Sequence, residues 1–111
     1  MAGVIDFSRT PDITWSAGTS LFVWVLKIIA RDTTNEGLAQ HIDEIIQNNL
    51  GILVIQDLTA AQREEVFRIL REDLFKVAEN TFPKDTPGRE GALEHIYKLV
   101  RLVPPPADTH T

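Results

Sequence analysis

The sequence has no cysteine, no long uninterrupted apolar run and no glycine-rich motif, and each absence excludes a class of site. Without cysteine there are no disulfides, no thiolate metal ligands and no cysteine nucleophile. The six glycines are scattered and form neither a Walker nor a dinucleotide-binding pattern. A Gly-x-Ser-x-Gly elbow is also absent. We therefore predict a protein that is not an enzyme and needs no cofactor.

The strongest apolar stretch, Leu21–Ala30, contains Lys27 and is shorter than the ~20 residues that cross a bilayer. It is preceded by Asp6, Arg9 and Asp12 rather than by the basic cluster of a secretory signal. We expect no membrane association and a cytoplasmic location.

Net charge is −5, and the whole acidic excess lies in residues 35–85, where ten acids accompany five bases. Affinity for nucleic acid comes mainly from Lys and Arg that displace counterions, so this region disfavours nucleic acid and a DNA-binding helix-turn-helix. A basic protein is the expected partner.

The longest amphipathic pattern runs from Thr59 to Phe82 and predicts a single helix. Thr59 and Gln62 have the spacing of a capping box, in which each side chain bonds the other residue's backbone N–H. Pro83 ends the pattern, since the residue before a proline is pushed out of the α region.

Three shorter patterns predict the remaining helices, over 19–31, 33–49 and 86–103. The first is rich in β-branched and aromatic residues, which alone favours a strand. A strand would place Lys27 between buried neighbours with little to pair it, so we favour a largely buried helix.

Two segments fall outside these helices. Residues 1–15 contain the β-prone patches Val4–Phe7 and Ile13–Trp15, and form either an extended arm or an edge pair of strands. Ile52–Ile55 forms either an apolar plug for the core, which we prefer, or a short strand that pairs with the first patch.

These elements predict an all-α fold, an irregular antiparallel bundle of about four helices. The alternative is an α+β fold with a small two-stranded sheet made of residues 4–7 and 52–55. The domain organisation is an N-terminal extended arm over residues 1–15, one helical domain over 16–103 and a disordered tail over 104–111.

Two histidines, His41 and His95, lie outside the tail and flank two different amphipathic helices. Partly exposed boundary positions of this kind are seldom catalytic. His41 has Glu44 one turn on, but a single His-x-x-Glu pair is a weak metal signal. We predict no metal site, and this pair is the one opening for an enzyme of an unrecognised class.

Pairs of adjacent acidic residues recur on the predicted helices. They form either a solvated face, with Glu64 paired to Arg68 and Glu72 to Lys76 one turn on, or a binding patch. The patch interpretation places Ile69, exposed within the charged arc, at the apolar centre of an acidic rim. The candidate partner-binding residues are Asp43, Glu44, Glu64, Glu65, Ile69, Glu72, Asp73 and Glu79.

In size, acidity and helical make-up, residues 16–103 resemble the immunity proteins that bacteria make against their own secreted or contact-delivered toxins. Many of those toxins are basic nucleases. The resemblance implies a cognate toxin as partner, with inhibition by steric and electrostatic occlusion. The alternative is a helical regulator or adaptor that forms a homodimer through Ile69 and the Trp24 side.

Overall fold

The computed structural model describes residues 2–9, 12–81 and 87–103. Along the chain these residues form β1 (Ala2–Arg9), β2 (Asp12–Gly18), α1 (Thr19–Asp32), α2 (Glu36–Gln47), β3 (Ile52–Val54), a 3-10 turn (Ile55–Asp57), α3 (Ala60–Glu72), α4 (Leu74–Thr81) and α5 (Arg89–Leu102). Five α-helices and a three-stranded mixed sheet in this part of the chain make the fold α+β. The predicted all-α bundle of about four helices is therefore wrong.

The sheet has the strand order β2-β1-β3, so β1 is its central strand. β2 pairs with β1 antiparallel and places Trp15 beside Ile5, and β3 pairs with β1 in parallel and places Leu53 beside Ile5. All three side chains are buried in the hydrophobic core. Because side chains alternate along a strand, this row marks the face of the sheet that packs on the helices.

The pairing of β3 with β1 is not local, so neither segment shows it by itself. Residues 4–7 and 52–55 do pair, as the alternative fold predicted, in the register Val4 with Ile52. The preferred apolar plug is wrong, because Ile52–Val54 form β3. A three-residue strand has too few positions to show a period, so the sequence pattern does not reveal it. The N-terminal patches are strands and not an arm, but β1 lies between two neighbours instead of at an edge.

Gly3 allows α1 to cross closely over β1. A Cβ atom added at Gly3 would overlap the ring of Phe22, which is almost fully buried. A side chain at residue 3 would therefore have to push the helix or the ring away.

Two predictions about helices are confirmed and one is corrected. α1 is a helix despite its β-prone composition. The capping box is present, with Thr59 Oγ1 accepting from Gln62 N at 3.1 Å and Gln62 Oε1 accepting from Thr59 N at 3.1 Å. The single helix over 59–82 is instead two, α3 and α4, which meet at Asp73. The predicted end at Phe82 and the predicted tail at 104–111 lie outside the described residues.

The break at Asp73 follows from the spacing of the buried side chains. Val66, Leu70, Leu74 and Ala78 recur every four residues and are all fully buried. A spacing of four exceeds the helical repeat of 3.6, so a straight helix would rotate this stripe by about 40° at each step. The break at Asp73 divides this stripe between two helices, and both bury their apolar side chains in the same core.

His95 ties α5 to β2. Trp15 Nε1 donates to the His95 carbonyl oxygen at 3.0 Å, and His95 Nε2 lies 2.6 Å from the carbonyl oxygen of Ser16. A carbonyl oxygen only accepts, so Nε2 carries the proton in this contact. The two rings also lie together, with centroids 5.0 Å apart. This histidine is a structural boundary residue.

Candidate protein-binding surface

The structure separates the eight predicted partner-binding residues into three groups. Two of them, Glu65 and Asp73, are half-buried, and Ile69 is fully buried. The remaining five carboxylates are exposed and belong to Asp43, Glu44, Glu64, Glu72 and Glu79. In residues 13–81 and 87–103, no ion pair within 4 Å joins these five to a Lys or Arg.

The predicted exposure of Ile69 is wrong. Ile69 has 0% of its surface exposed and packs in the core beside Val66 and Leu70. The prediction averaged the apolar stripe over one long helix, which rotates the stripe away from Ile69. Within α3 alone, Ile69 lies on the buried face. It therefore serves neither as the centre of an acidic patch nor as a homodimer contact.

Glu65 is engaged inside the molecule. Its Oε1 accepts from Thr33 Oγ1 at 3.1 Å, from Thr34 N at 3.0 Å and from Arg68 NH2 at 3.2 Å. These bonds, that from Arg68 first, lower the pKa of Glu65 from its ordinary 4.5 to about 2. Thr33 Oγ1 also accepts from the backbone N of Asn35, the residue that caps α2. Glu65 thus fastens the α1–α2 connection onto α3, and little of its hydrogen-bonding capacity remains for a partner.

Asp73 also has charged neighbours within the chain. It lines a shallow depression with Arg31, Asp32 and Lys76. Arg31 Nε donates to Asp32 Oδ1 at 2.8 Å, and this bond lowers the pKa of Asp32. Arg31 and Lys76 thus place positive charge beside Asp73.

The part of the chain that carries acids without any Lys or Arg is narrower than residues 35–85. Between Arg31 and Arg63 the chain carries no Lys or Arg. We call residues 33–62, which include α2, β3 and the 3-10 turn, the base-free segment. Its four carboxylates are all exposed and belong to Glu36, Asp43, Glu44 and Asp57. On α3 and α4, in contrast, acids alternate with Arg63, Arg68, Arg71 and Lys76.

Two large apolar side chains are exposed in the base-free segment. Leu50 is 57% exposed and Ile52 is 42% exposed. The chain leaves α2 through left-handed backbone at Asn49 and Gly51, with φ of 51° and 72°, and this turn leads directly into β3. An apolar cavity of about 220 Å³ lies beside Gly51 between α1 and α2. The sequence analysis did not select Leu50 or Ile52 as site residues, although the absence of Lys and Arg from residues 33–62 is a pattern that could have indicated them.

A second concave region, between β2 and α5, has the opposite charge. This cleft of about 460 Å³ is lined by His95, Lys98 and Arg101 together with Trp15. Arg101 also lies over the Tyr97 ring, 5.5 Å from its centroid. The described surface therefore has a basic cleft between β2 and α5 and an acidic side in the base-free segment.

His41 and Glu44, the His-x-x-Glu pair of the sequence, both lie on α2. His41 is half-buried and Glu44 is exposed. Within the described ranges no three His, Asp or Glu side chains are grouped so that they could hold a metal ion. None of the helices in those ranges is long and apolar enough to cross a membrane.

The charge and geometry of this surface are the available guides to function. No protein-family model, no curated protein and no solved structure matches the chain.

Proposed function

We propose that this protein is a non-catalytic binding domain that acts in the cytoplasm and neutralises a basic protein, a toxin such as a nuclease, by occluding it. The observation that carries the proposal is the base-free segment, whose four carboxylates are exposed and whose residues include no Lys or Arg. Such a surface attracts a basic partner at long range and repels acidic competitors. The action is that of the immunity proteins which the sequence resembles.

Within this surface Asp43 and Glu44 are the residues to test. They are adjacent, exposed and located on α2, where the inward side chains Ile42 and Ile45 are buried and hold the helix in place. Changing their charge leaves those core contacts intact. Exposed positions of this kind change the free energy of unfolding by about 0.5 kcal/mol or less.

The test compares the wild-type protein with two double variants. The first variant, Asp43→Lys with Glu44→Lys, reverses the charge of the acidic surface on α2. The matched control, Glu90→Lys with Glu94→Lys, makes the same charge change on the exposed face of α5. Each protein is used as bait in an extract of its native cells, with washes at low and high salt. We expect a basic protein that is retained by the wild type and by the control, is lost from the α2 variant and elutes with salt.

The captured protein is then expressed alone and together with each bait. Relief of its toxicity by the wild type and the control, but not by the α2 variant, is the expected result. Equal capture and equal relief by all three proteins would exclude the base-free segment as the inhibitory surface.

A further inference from the structure

The outer edge of β3 carries backbone groups that the sheet does not use. Val4 N donates to Gly51 O at 2.9 Å, and the parallel register pairs Val4 with Ile52. In a parallel ladder the bonded residues on one strand alternate. Leu53 therefore turns its peptide groups toward β1, while Ile52 and Val54 turn theirs away from it. No strand in the described ranges pairs with that outer side, since β3 ends the order β2-β1-β3.

At the opposite edge of the sheet, α5 occupies one of the outward backbone groups of β2. Val4 uses its N–H toward β3, so its antiparallel neighbour Ser16 points its own peptide groups outward from the sheet. His95 on α5 binds the Ser16 carbonyl oxygen there. Lys98 and Arg101 line the same region and would repel a cationic chain. The two edges therefore differ both in access and in charge.

We propose that β3 is a strand-addition site, at which an extended, basic segment of the partner pairs with Ile52 and Val54 as a fourth strand. Exposed edges accept strands in this way, with backbone hydrogen bonds giving affinity and side chains giving specificity. The proposal rests on the proposed function, because the base-free segment selects the occupant. A second copy of this chain is disfavoured, since pairing β3 with β3 would bring two base-free segments together.

The short length of β3 limits the number of backbone hydrogen bonds that a partner can form with it. Two outward-facing residues provide few backbone hydrogen bonds, so charge and apolar contact must supply the rest of the affinity. Ile52 lies on the sheet face opposite the buried Leu53 and is exposed, as is Leu50 just before it. An apolar side chain next to Ile52, with Lys or Arg on either side to reach the carboxylates, meets these requirements.

The probe is a capped synthetic peptide of roughly eight residues, an ordinary strand length, in which Lys and Val alternate. One control peptide has Glu in place of every Lys, and another carries N-methyl groups on alternate amides so that one edge lacks donors. Hydrogen exchange of the Ile52 and Val54 amides is followed by NMR in the intact chain. At saturation we expect the Lys–Val peptide to slow both amides by roughly tenfold or more, with no slowing by either control.

A pair of variants tests the edge without relying on backbone changes. Ile52→Lys places a cation on the exposed face of β3, and Leu102→Lys makes a similar change at an exposed apolar residue of α5. We expect Ile52→Lys to lose binding of the Lys–Val peptide and Leu102→Lys to keep it. Loss of binding in both, or in neither, would overturn the assignment to β3.

The remaining outcomes separate this inference from the proposed function. Binding of the Lys–Val peptide that leaves Ile52 and Val54 exchange unchanged overturns strand addition. If this binding is also lost in the Asp43→Lys, Glu44→Lys variant, the acidic surface remains the binding site and the proposed function is unaffected. Strand addition by a basic segment is also overturned if the Glu–Val peptide protects these amides equally, or if protection grows with protein concentration without peptide. It is overturned as well if no peptide binds. The toxin-capture experiment then decides the proposed function by itself.

Discussion

Replacing Glu65 by Gln tests whether this carboxylate is a structural tie. The change removes the negative charge next to Arg68 but keeps an oxygen that accepts from Thr33 and Thr34. We expect a folded protein that is less stable at neutral pH. We also expect it to lose a defined part of the pH dependence of stability.

The magnitude follows from the pKa. Folding lowers the pKa of Glu65 from 4.5 to about 2, so the ionised carboxylate stabilises the fold fully above its unfolded value. The contribution is lost as the pH falls from about 5 toward 2. At about 1.4 kcal/mol per pKa unit the shift corresponds to roughly 3 kcal/mol. The side chain keeps 18% of its surface exposed and its partner Arg68 keeps 38%, so solvent screening reduces the expected effect to ~1–2 kcal/mol.

The assay is urea unfolding followed by circular dichroism at pH 7 and at pH 3. Glu64→Gln is the matched control, because its side chain is exposed and forms no ion pair in the described ranges. Between the two pH values the wild type and the control should lose more stability than Glu65→Gln, by about 1 kcal/mol. A Glu65→Gln protein with wild-type stability at pH 7 and the wild-type loss at pH 3 would refute the reasoning.

Two core substitutions test the packing. Gly3→Ala should reduce the free energy of unfolding by ~1–3 kcal/mol, because the new methyl overlaps the Phe22 ring, whereas Gly91→Ala has open space and should be neutral or stabilising. Denaturant midpoints measure both, and equal effects would contradict the close contact. Ile69→Ala should cost ~2–5 kcal/mol because the side chain is fully buried. If Ile69→Ala has wild-type stability and reduced partner binding, Ile69 lies at the surface after all.

The helices could be predicted because their signals are local. α1 has a face on which Lys27 can reach water, and that periodicity outweighed the β-branched composition. The capping box at Thr59 and Gln62 is readable because both hydrogen bonds join residues three apart. Such features depend only on neighbours in the sequence.

The sheet and the site needed distant partners. β3 is a strand because β1, almost fifty residues earlier, offers it hydrogen bonds. Glu65 was assigned to a surface because its bonds to Thr33 and Thr34, on the α1–α2 connection, cannot be inferred from spacing on α3. Ile69 was misplaced because the prediction averaged the apolar stripe over residues 59–82, whereas α3 ends at Glu72. For β3 and Glu65 a long-range contact overrode the local pattern, and for Ile69 the helix ended before the averaged pattern did.

The central position of β1 has a consequence for the order of folding. Its antiparallel neighbour β2 follows after a short connection, so this hairpin closes a small loop. Its parallel neighbour β3 arrives only after α1 and α2 have intervened, and closing that much larger loop costs more chain entropy. We expect the hairpin to form first and the β1–β3 pairing to limit the folding rate. The first strand of the chain, β1, thus completes its pairing only when β3 arrives.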